Sequence, residues 1–365
     1  MSHILFINHT RQLHGSEQVL LESMHAAQMA GHRVSLLLPS HVVGEGLDEA
    51  AAAYATTIFY APYRPIGFSL LRTWLVQLYN LCALWRVIRF IRREKVDIVF
   101  SGTSVTTLGL LAARATSKKH IWHFHEPVDA QYGWHPSLRR LYTRLLTYSH
   151  NTWVCISRHQ HHEWQEAMQI PMKSMVIYNP IRTVNVSPAV HEGLRIGYMG
   201  SFDARKNIPL LLQVFEKIHK DFPNTRLLLC GAKNTDEIAT IYAQTTLKAP
   251  VLQVQMHTQN IDAFYSDIDI FVLPSLREEM PLVVLEAMQA GICVLQTSAS
   301  HMKELLTEEH TLFFSPDQPE QLEQQLRDCM DASFRKRLAL HGQKRVEELN
   351  CTAAFQQSMQ QLFAS

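Results

Sequence analysis

Two α/β domains, each built on a parallel sheet and joined by one linker, are what this sequence predicts. Three observations lead there. The chain has 365 residues, more than one hydrophobic core normally holds. Short apolar runs alternate with helix-length segments, the pattern of parallel strands covered on both faces. That pattern breaks once, between Asn179-Pro180 and Gly193, and then restarts.

In chain order, residues 4–7 form an apolar strand ending at Asn8, and a polar loop with Gly15 leads into a helix over 16–29. Gly31 stops that helix and 34–38 supplies a second strand. The runs at 97–100, 121–124, 153–156 and 175–178 continue the alternation. Pro180, Pro188 and their polar neighbours read as a linker over 181–193. Beyond it come strands at 194–199, 226–230, 268–273 and 293–296, with helices at 208–221, 261–266 and 282–290, the last closed by Gly291. The sequence is helical from Pro319 onward. The expected domains are therefore 1–180 and 194–345, with 346–365 a helix that crosses back to the first domain. Ligands of open parallel sheets bind at the carboxyl ends of strands, so the expected site is the cleft that the two domains face.

Composition narrows the function. Hydrophobic residues make up 47% and charged residues 18%, as in soluble globular proteins. A formal charge of +1 argues against a general nucleic-acid binder, which carries a basic excess. No two of the 20 histidines sit with cysteines at structural-zinc spacing, so no metal is expected. Cysteines 82, 155, 230, 293, 329 and 351 are scattered singly and read as reduced thiols of a cytosolic chain. The N-terminus has no basic leader and too short an apolar run for an export signal. The most apolar later stretch, 73–85, is too short for a hydrocarbon layer of about 30 Å. A cytoplasmic protein, at most peripheral to the inner membrane face, is expected.

Three segments carry chemistry. In Pro274-Ser-Leu-Arg-Glu278-Glu-Met-Pro281-Leu-Val-Val-Leu-Glu286-Ala-Met-Gln-Ala-Gly291, one acid lies at a helix mouth and another inside an apolar helix. Two such carboxylates can accept hydroxyls of one ligand, and the helix N-terminus between them favours an anion. The alternative is a capped core helix whose Glu286 pairs with a neighbouring domain; the spacing accommodates both. In Gly197-Tyr-Met-Gly200-Ser-Phe-Asp203-Ala-Arg205-Lys206-Asn207, a strand runs into a loop with adjacent cations. Arg205 can grip a diphosphate bidentately and Lys206 add a point charge, or the pair can be a solvated basic loop. In Ile121-Trp-His123-Phe-His125-Glu126-Pro127, His123 and His125 share one strand face. A histidine bonded to backbone is favoured there over a metal site, with a substrate-facing role the alternative.

With these residues quoted, the chain resembles glycosyltransferase family 4. The Glu278…Glu286 segment resembles that family's paired-glutamate motif. The resemblance extends through Gly200 to Lys206, His125-Glu126, Val154-Cys-Ile-Ser157, Ile177-Tyr-Asn-Pro180, Asp267 to Ser275, and His14-Gly15-Ser16-Glu17 with Gly31-His-Arg-Val34. It implies a GT-B fold and a retaining, metal-independent, hexosyltransferase-like enzyme that needs no cofactor. It implies that Glu286 binds the nucleotide ribose, Glu278 the donor sugar, and Lys206 with an arginine the leaving diphosphate. His125 approaches the sugar and Gly15 the donor, while Gly200, Ser201, Glu279, Met280, Pro281 and Leu282 complete the donor-binding set. Three departures stand out: Ser201 replaces the usual arginine, leaving Arg205 to supply that charge; Glu279 replaces a glycine; and His14-Gly15 replaces a glycine pair.

The implied partners are a nucleotide-sugar and a glycan or lipid-linked saccharide acceptor of cell-envelope polysaccharide synthesis. Residues 68–93, from Phe68 to Arg93, mix aromatics, aliphatics and arginines. The favoured reading is a pair of helices packed on the first sheet, with the arginines left to meet an anionic membrane. Rival functions are a GT-B nucleotide-sugar epimerase and a non-catalytic nucleotide-sugar-binding scaffold. A nicotinamide dehydrogenase is disfavoured because no Gly-x-Gly-x-x-Gly follows either first strand.

Overall fold

The computed structural model describes all residues except 41–45, 67–68, 129–133, 135–142, 144–146, 170–172 and 187–191; Phe68 and Pro188 lie outside the described residues. The chain divides into two compact units, Met1–Pro180 with Thr352–Ser365, and Ile181–Cys351.

The first unit is a parallel sheet of β1 (His3–Ile7), β2 (Arg33–Pro39), β3 (Thr57–Ala61), β4 (Ile98–Ser101), β5 (Lys119–Phe124), β6 (Asn151–Cys155) and β7 (Ser174–Val176). Their order is β3-β2-β1-β4-β5-β6-β7, so chain direction across the sheet reverses between β1 and β4. The second unit has β8 (Leu194–Met199), β9 (Thr225–Ala232), β10 (Leu252–Met256), β11 (Ile270–Leu273), β12 (Cys293–Thr297) and β13 (Leu312–Phe314). Here the order is β10-β9-β8-β11-β12-β13, again parallel throughout, with the reversal between β8 and β11.

Three strands escape the sequence pattern, and all three are sheet edges: β3, β10 and β13. An edge strand is covered less, so β3 and β10 keep half-buried or exposed positions; β10 alternates as Leu-Gln-Val-Gln-Met, whereas β3 carries the apolar run Ile58 to Ala61, which the sequence pattern passed over.

Residues 181–186, read as the start of a linker, are held by the second unit. The Val184 amide donates to Gln289 Oε1 at 2.7 Å and the Asn185 amide to Asp262 Oδ1 at 3.0 Å. At the other end, the helix Ala332–Leu349 stays in the second unit, and Asn350 at φ 43° breaks it. The following helix, Cys351–Ala364, belongs to the first unit. Its Phe363 packs edge-on against Phe6 and Phe100, and the Leu362 carbonyl accepts from Lys119 Nζ at 2.7 Å.

The expected pair of helices over 68–93 is one helix, Leu70–Arg93. Thr73, Val76, Asn80, Ala83, Val87, Phe90 and Ile91 face the core. Leu71, Trp74, Leu75, Leu78, Leu81 and Trp85 lie in solvent, with Leu71 71% and Trp85 63% exposed. Most large apolar side chains of the helix are thus not core, contrary to expectation, because one long helix can lay only one stripe on the sheet. Among the described residues no helix is long and apolar enough to cross a membrane.

Within the first sheet, His120 is buried, with Nδ1 donating to Asn151 Oδ1 at 2.7 Å and Nε2 accepting from Ser101 Oγ at 2.9 Å. Burial lowers its pKa to about 4. An unfolded imidazole titrates near 6.5, so this contribution is complete above that pH and is lost as pH falls toward 4. At most about 3 kcal/mol is involved. Urea unfolding at pH 7 and pH 5 should show a smaller acid loss for His120→Gln than for the native chain; equal losses would remove His120 as the cause.

Candidate functional site

The second unit gathers its candidate residues at the carboxyl ends of β8 and β11, the place where strand order reverses. Gly200 follows β8 at φ 155°, and a Cβ on Gly231 would meet the Gly200 carbonyl oxygen at 1.9 Å. Glycine at 231 is what lets these backbones approach so closely. Ser201 then turns the chain, its carbonyl accepting from Tyr198 Oη at 2.8 Å and its hydroxyl donating to Asp203 Oδ2 at 2.7 Å. Asp203 caps a short 3-10 turn, Ala204–Lys206.

That turn sends its two cations different ways. Lys206 Nζ meets Glu278 Oε1 at 2.6 Å, with both side chains largely covered. Arg205 pairs with Asp203 at 3.2 Å, and its side chain is 62% exposed. Its backbone carbonyl accepts from the Leu276 amide at 2.7 Å, which ties the cationic turn to the loop after β11. Glu278 itself is anchored by its amide, which donates to the Ala299 carbonyl at 3.0 Å. Glu279 lies 3.5 Å from Arg277 and 3.7 Å from His301, so the acid found where a glycine is usual faces a guanidinium and an imidazole. Met280 is buried, Pro281 occupies the N-cap, and the helix runs Leu282–Gln289.

Glu286 lies inside that helix and is fully buried. Its Oε1 accepts from Arg182 Nε at 2.8 Å, and its Oε2 from Arg182 Nη2 at 2.9 Å and Tyr265 Oη at 3.1 Å. The alternative sequence reading placed its partner in a neighbouring domain; the partner belongs to the same unit. A bare ionised carboxylate there would cost several kcal/mol or more, so the helix requires this fork. Sequence reasoning missed Arg182 because it sits in the stretch taken for a linker. Asp267 and Asp269 are also accounted for, both bonded to Arg195 at the opposite ends of β8 and β11.

In the first unit, Gly15 opens the helix Gly15–Met29 with free space around it. Glu17, which the sequence reading did not single out, is buried and reaches back along the loop. It accepts from Asn8 Nδ2 at 3.2 Å, Ser16 Oγ at 3.0 Å and the His14 amide at 3.3 Å. The Glu three residues after the helix cap is the one signal that could have found it. His125 and Glu126 follow β5. Glu126 accepts from Thr103 Oγ1 at 2.7 Å and from the Ser104 amide and hydroxyl at 2.8 Å. Burial lowers the His125 pKa, opposed by the carboxylates of Glu126 and Glu17. The backbone bond expected of these histidines is not found among the described residues. Neither ring nitrogen of His123 nor Nε2 of His125 has a partner among the described residues, and the two rings lie 4.2 Å apart. Both side chains share a face, as strand alternation requires, and His123 meets Phe100 and Phe355 rather than backbone oxygens. Among the described residues no group of three or more His, Cys, Asp or Glu could hold a metal ion.

A family model described as Glycosyltransferase Family 4 matches residues 13–184, and one described as Glycosyl transferases group 1 matches residues 183–345. The chain belongs to the glycosyltransferases. The sulfoquinovosyl transferase SQD2 of Arabidopsis thaliana is 22% identical over 288 residues, covering 77% of this glycosyltransferase and 46% of that protein. The capsular polysaccharide biosynthesis glycosyltransferase CapM of Staphylococcus aureus is 26% identical over 162 residues, 43% of this chain and 42% of its own. The chain thus spans less than half the length of these relatives. Anabaena HepE, crystallised with UDP and glucose, superposes with a TM-score of 0.80 at 16% identity over 100% of both chains. That likeness shows the fold of this glycosyltransferase, GT-B.

Proposed function

We propose that this glycosyltransferase moves a sugar, with retention, from a nucleotide-sugar to a hydroxyl of a glycan or lipid-linked saccharide of the cell envelope. The observation that carries the proposal is the 2.6 Å pair of Lys206 and Glu278 where strand order reverses in the second sheet. Ligands of open parallel sheets gather at such points. When the sugar–phosphate bond breaks, negative charge grows on the diphosphate, and a preorganised ammonium beside it lowers that barrier. Glu278 holds the ammonium and offers its remaining lone pairs to donor-sugar hydroxyls. Gly200 and Ser201 bring backbone close to the phosphates. Glu279, Met280, Pro281 and Leu282 line the approach to the helix N-terminus, and Glu286 meets the ribose.

In retention, the bond from the anomeric carbon to the phosphate oxygen breaks and the acceptor oxygen bonds on the same face. The acceptor proton passes to the leaving diphosphate. Burial of the His125 imidazole favours its neutral form. The UDP held by HepE supports a nucleoside diphosphate leaving group. The name of CapM supports a polysaccharide acceptor. The apolar and basic helix Leu70–Arg93 supports a peripheral contact with an anionic, cytoplasm-facing membrane, the surface on which a lipid-linked saccharide is presented.

Lys206, with Arg205 beside it and the helix N-terminus, supplies the positive charge that a divalent metal provides in other sugar transferases. Sugar transfer should therefore keep its rate in a strong chelator, measured by release of nucleoside diphosphate with an envelope glycan acceptor. Loss of transfer that manganese restores would overturn metal independence, and donor turnover without any acceptor would overturn the transferase reading itself.

A further inference from the structure

Glu286 is expected to read the ribose, yet its carboxylate is almost fully spoken for. A carboxylate offers about four lone-pair sites. Arg182 Nε takes one on Oε1; Arg182 Nη2 and Tyr265 Oη take both on Oε2. One site remains, on Oε1. The Arg182 side chain is 29% exposed and that of Glu286 1%, so the guanidinium stands nearer solvent than the acid it holds. Its Nη1 makes no hydrogen bond among the described residues.

We propose that Arg182 is a positioning residue of the donor site, which holds Glu286 turned so that its single open Oε1 lone pair accepts one ribose hydroxyl. The inference rests on the donor-site reading above. It goes further in two ways: a residue from the 181–186 segment becomes part of ribose recognition, and only one of the two ribose hydroxyls is read. A bidentate guanidinium fixes a carboxylate in plane and in rotamer, which a point charge does not. Tyr265, whose hydroxyl also lies 3.2 Å from the Val283 carbonyl, closes the second oxygen against a second ribose contact.

A purely structural pair would brace the same segment, so the test must read the ribose. Calorimetry would compare UDP, ADP and GDP, each with its 2′-deoxy and 3′-deoxy form, on the full chain. The expected wild-type result is a preference of about tenfold or more over one deoxy form and little over the other, the worth of one charge-assisted hydrogen bond. Arg182→Gln should cut that preference to within about threefold, as Glu286→Gln does, and the double variant should cut it no further. Arg182→Lys, which keeps the charge but not the fork, should fall between, and it carries the test if the Gln variant does not fold. Folded Arg182 variants that weaken all nucleotides alike and keep the wild-type preference would reduce Arg182 to a brace. A wild-type chain that binds a nucleoside diphosphate without distinguishing its deoxy forms would remove the ribose contact and this proposal with it. A chain that binds none of the nucleotides would instead sink the donor-site reading on which it stands.

Discussion

Replacing Lys206 by alanine is expected to lower sugar transfer by roughly 10²-fold or more, the loss seen when a group that stabilises transition-state charge is removed. The effect should fall on kcat, because the charge it answers develops only as the sugar–phosphate bond breaks. Its partner Glu278 is 14% exposed, so the variant leaves a largely covered carboxylate unpaired. A double variant with Glu278→Gln separates lost catalysis from that strain: it should fold better than Lys206→Ala and remain as slow. Arg205→Ala should cost less, since that side chain is more than half exposed and tied to Asp203. Near-normal kcat in a folded Lys206→Ala protein would mean that the leaving group is stabilised by other residues.

The second large effect concerns the helix Leu70–Arg93. It carries five arginines and no acid, and its solvent side holds seven large apolar residues from Leu71 to Trp85. Neutralising Arg86, Arg89, Arg92 and Arg93 together should weaken binding to anionic vesicles by about 1 kcal/mol per charge at low salt, roughly 10³-fold overall. Arg93 should give the least, because Glu94 already holds it at 2.9 Å. Changing Trp74, Leu75 and Leu78 to serine should remove binding that survives high salt, since burial of apolar surface is not screened. Affinity for free nucleotide should not change in either variant. Co-sedimentation with vesicles at two salt concentrations, beside nucleotide calorimetry, decides it. A wild-type chain that fails to sediment even at low salt ends the membrane proposal.

The same helix shows where a linear reading stops. Its alternation of leucine, tryptophan and arginine reads as two packed helices, because apolar residues are usually core. Only the sheet beneath determines which stripe is covered, and a cylinder lying on a sheet covers one. Edge strands fail for a related reason. β10 lacks the continuous apolar run that two-sided burial imposes on β1 or β11.

What the sequence by itself determined is whatever depends on local order. Buried runs alternating with helices specify two parallel sheets, and Gly200, Lys206, Glu278 and Glu286 keep their spacing along the chain, so the motif is legible before folding. What only the tertiary structure decided is which charge meets which. Lys206 and Glu278 are 72 positions apart, and Arg182 and Glu286 104 apart. Neither pairing has a sequence signal. Arg205 and Lys206 look equivalent as letters, yet the turn that Asp203 caps sends one to solvent and the other to Glu278. Arg182 looked like linker because it stands between Pro180 and Pro188, where the strand–helix pattern breaks, and it is bound to the fold because a carboxylate buried in an apolar helix must have a cation within reach.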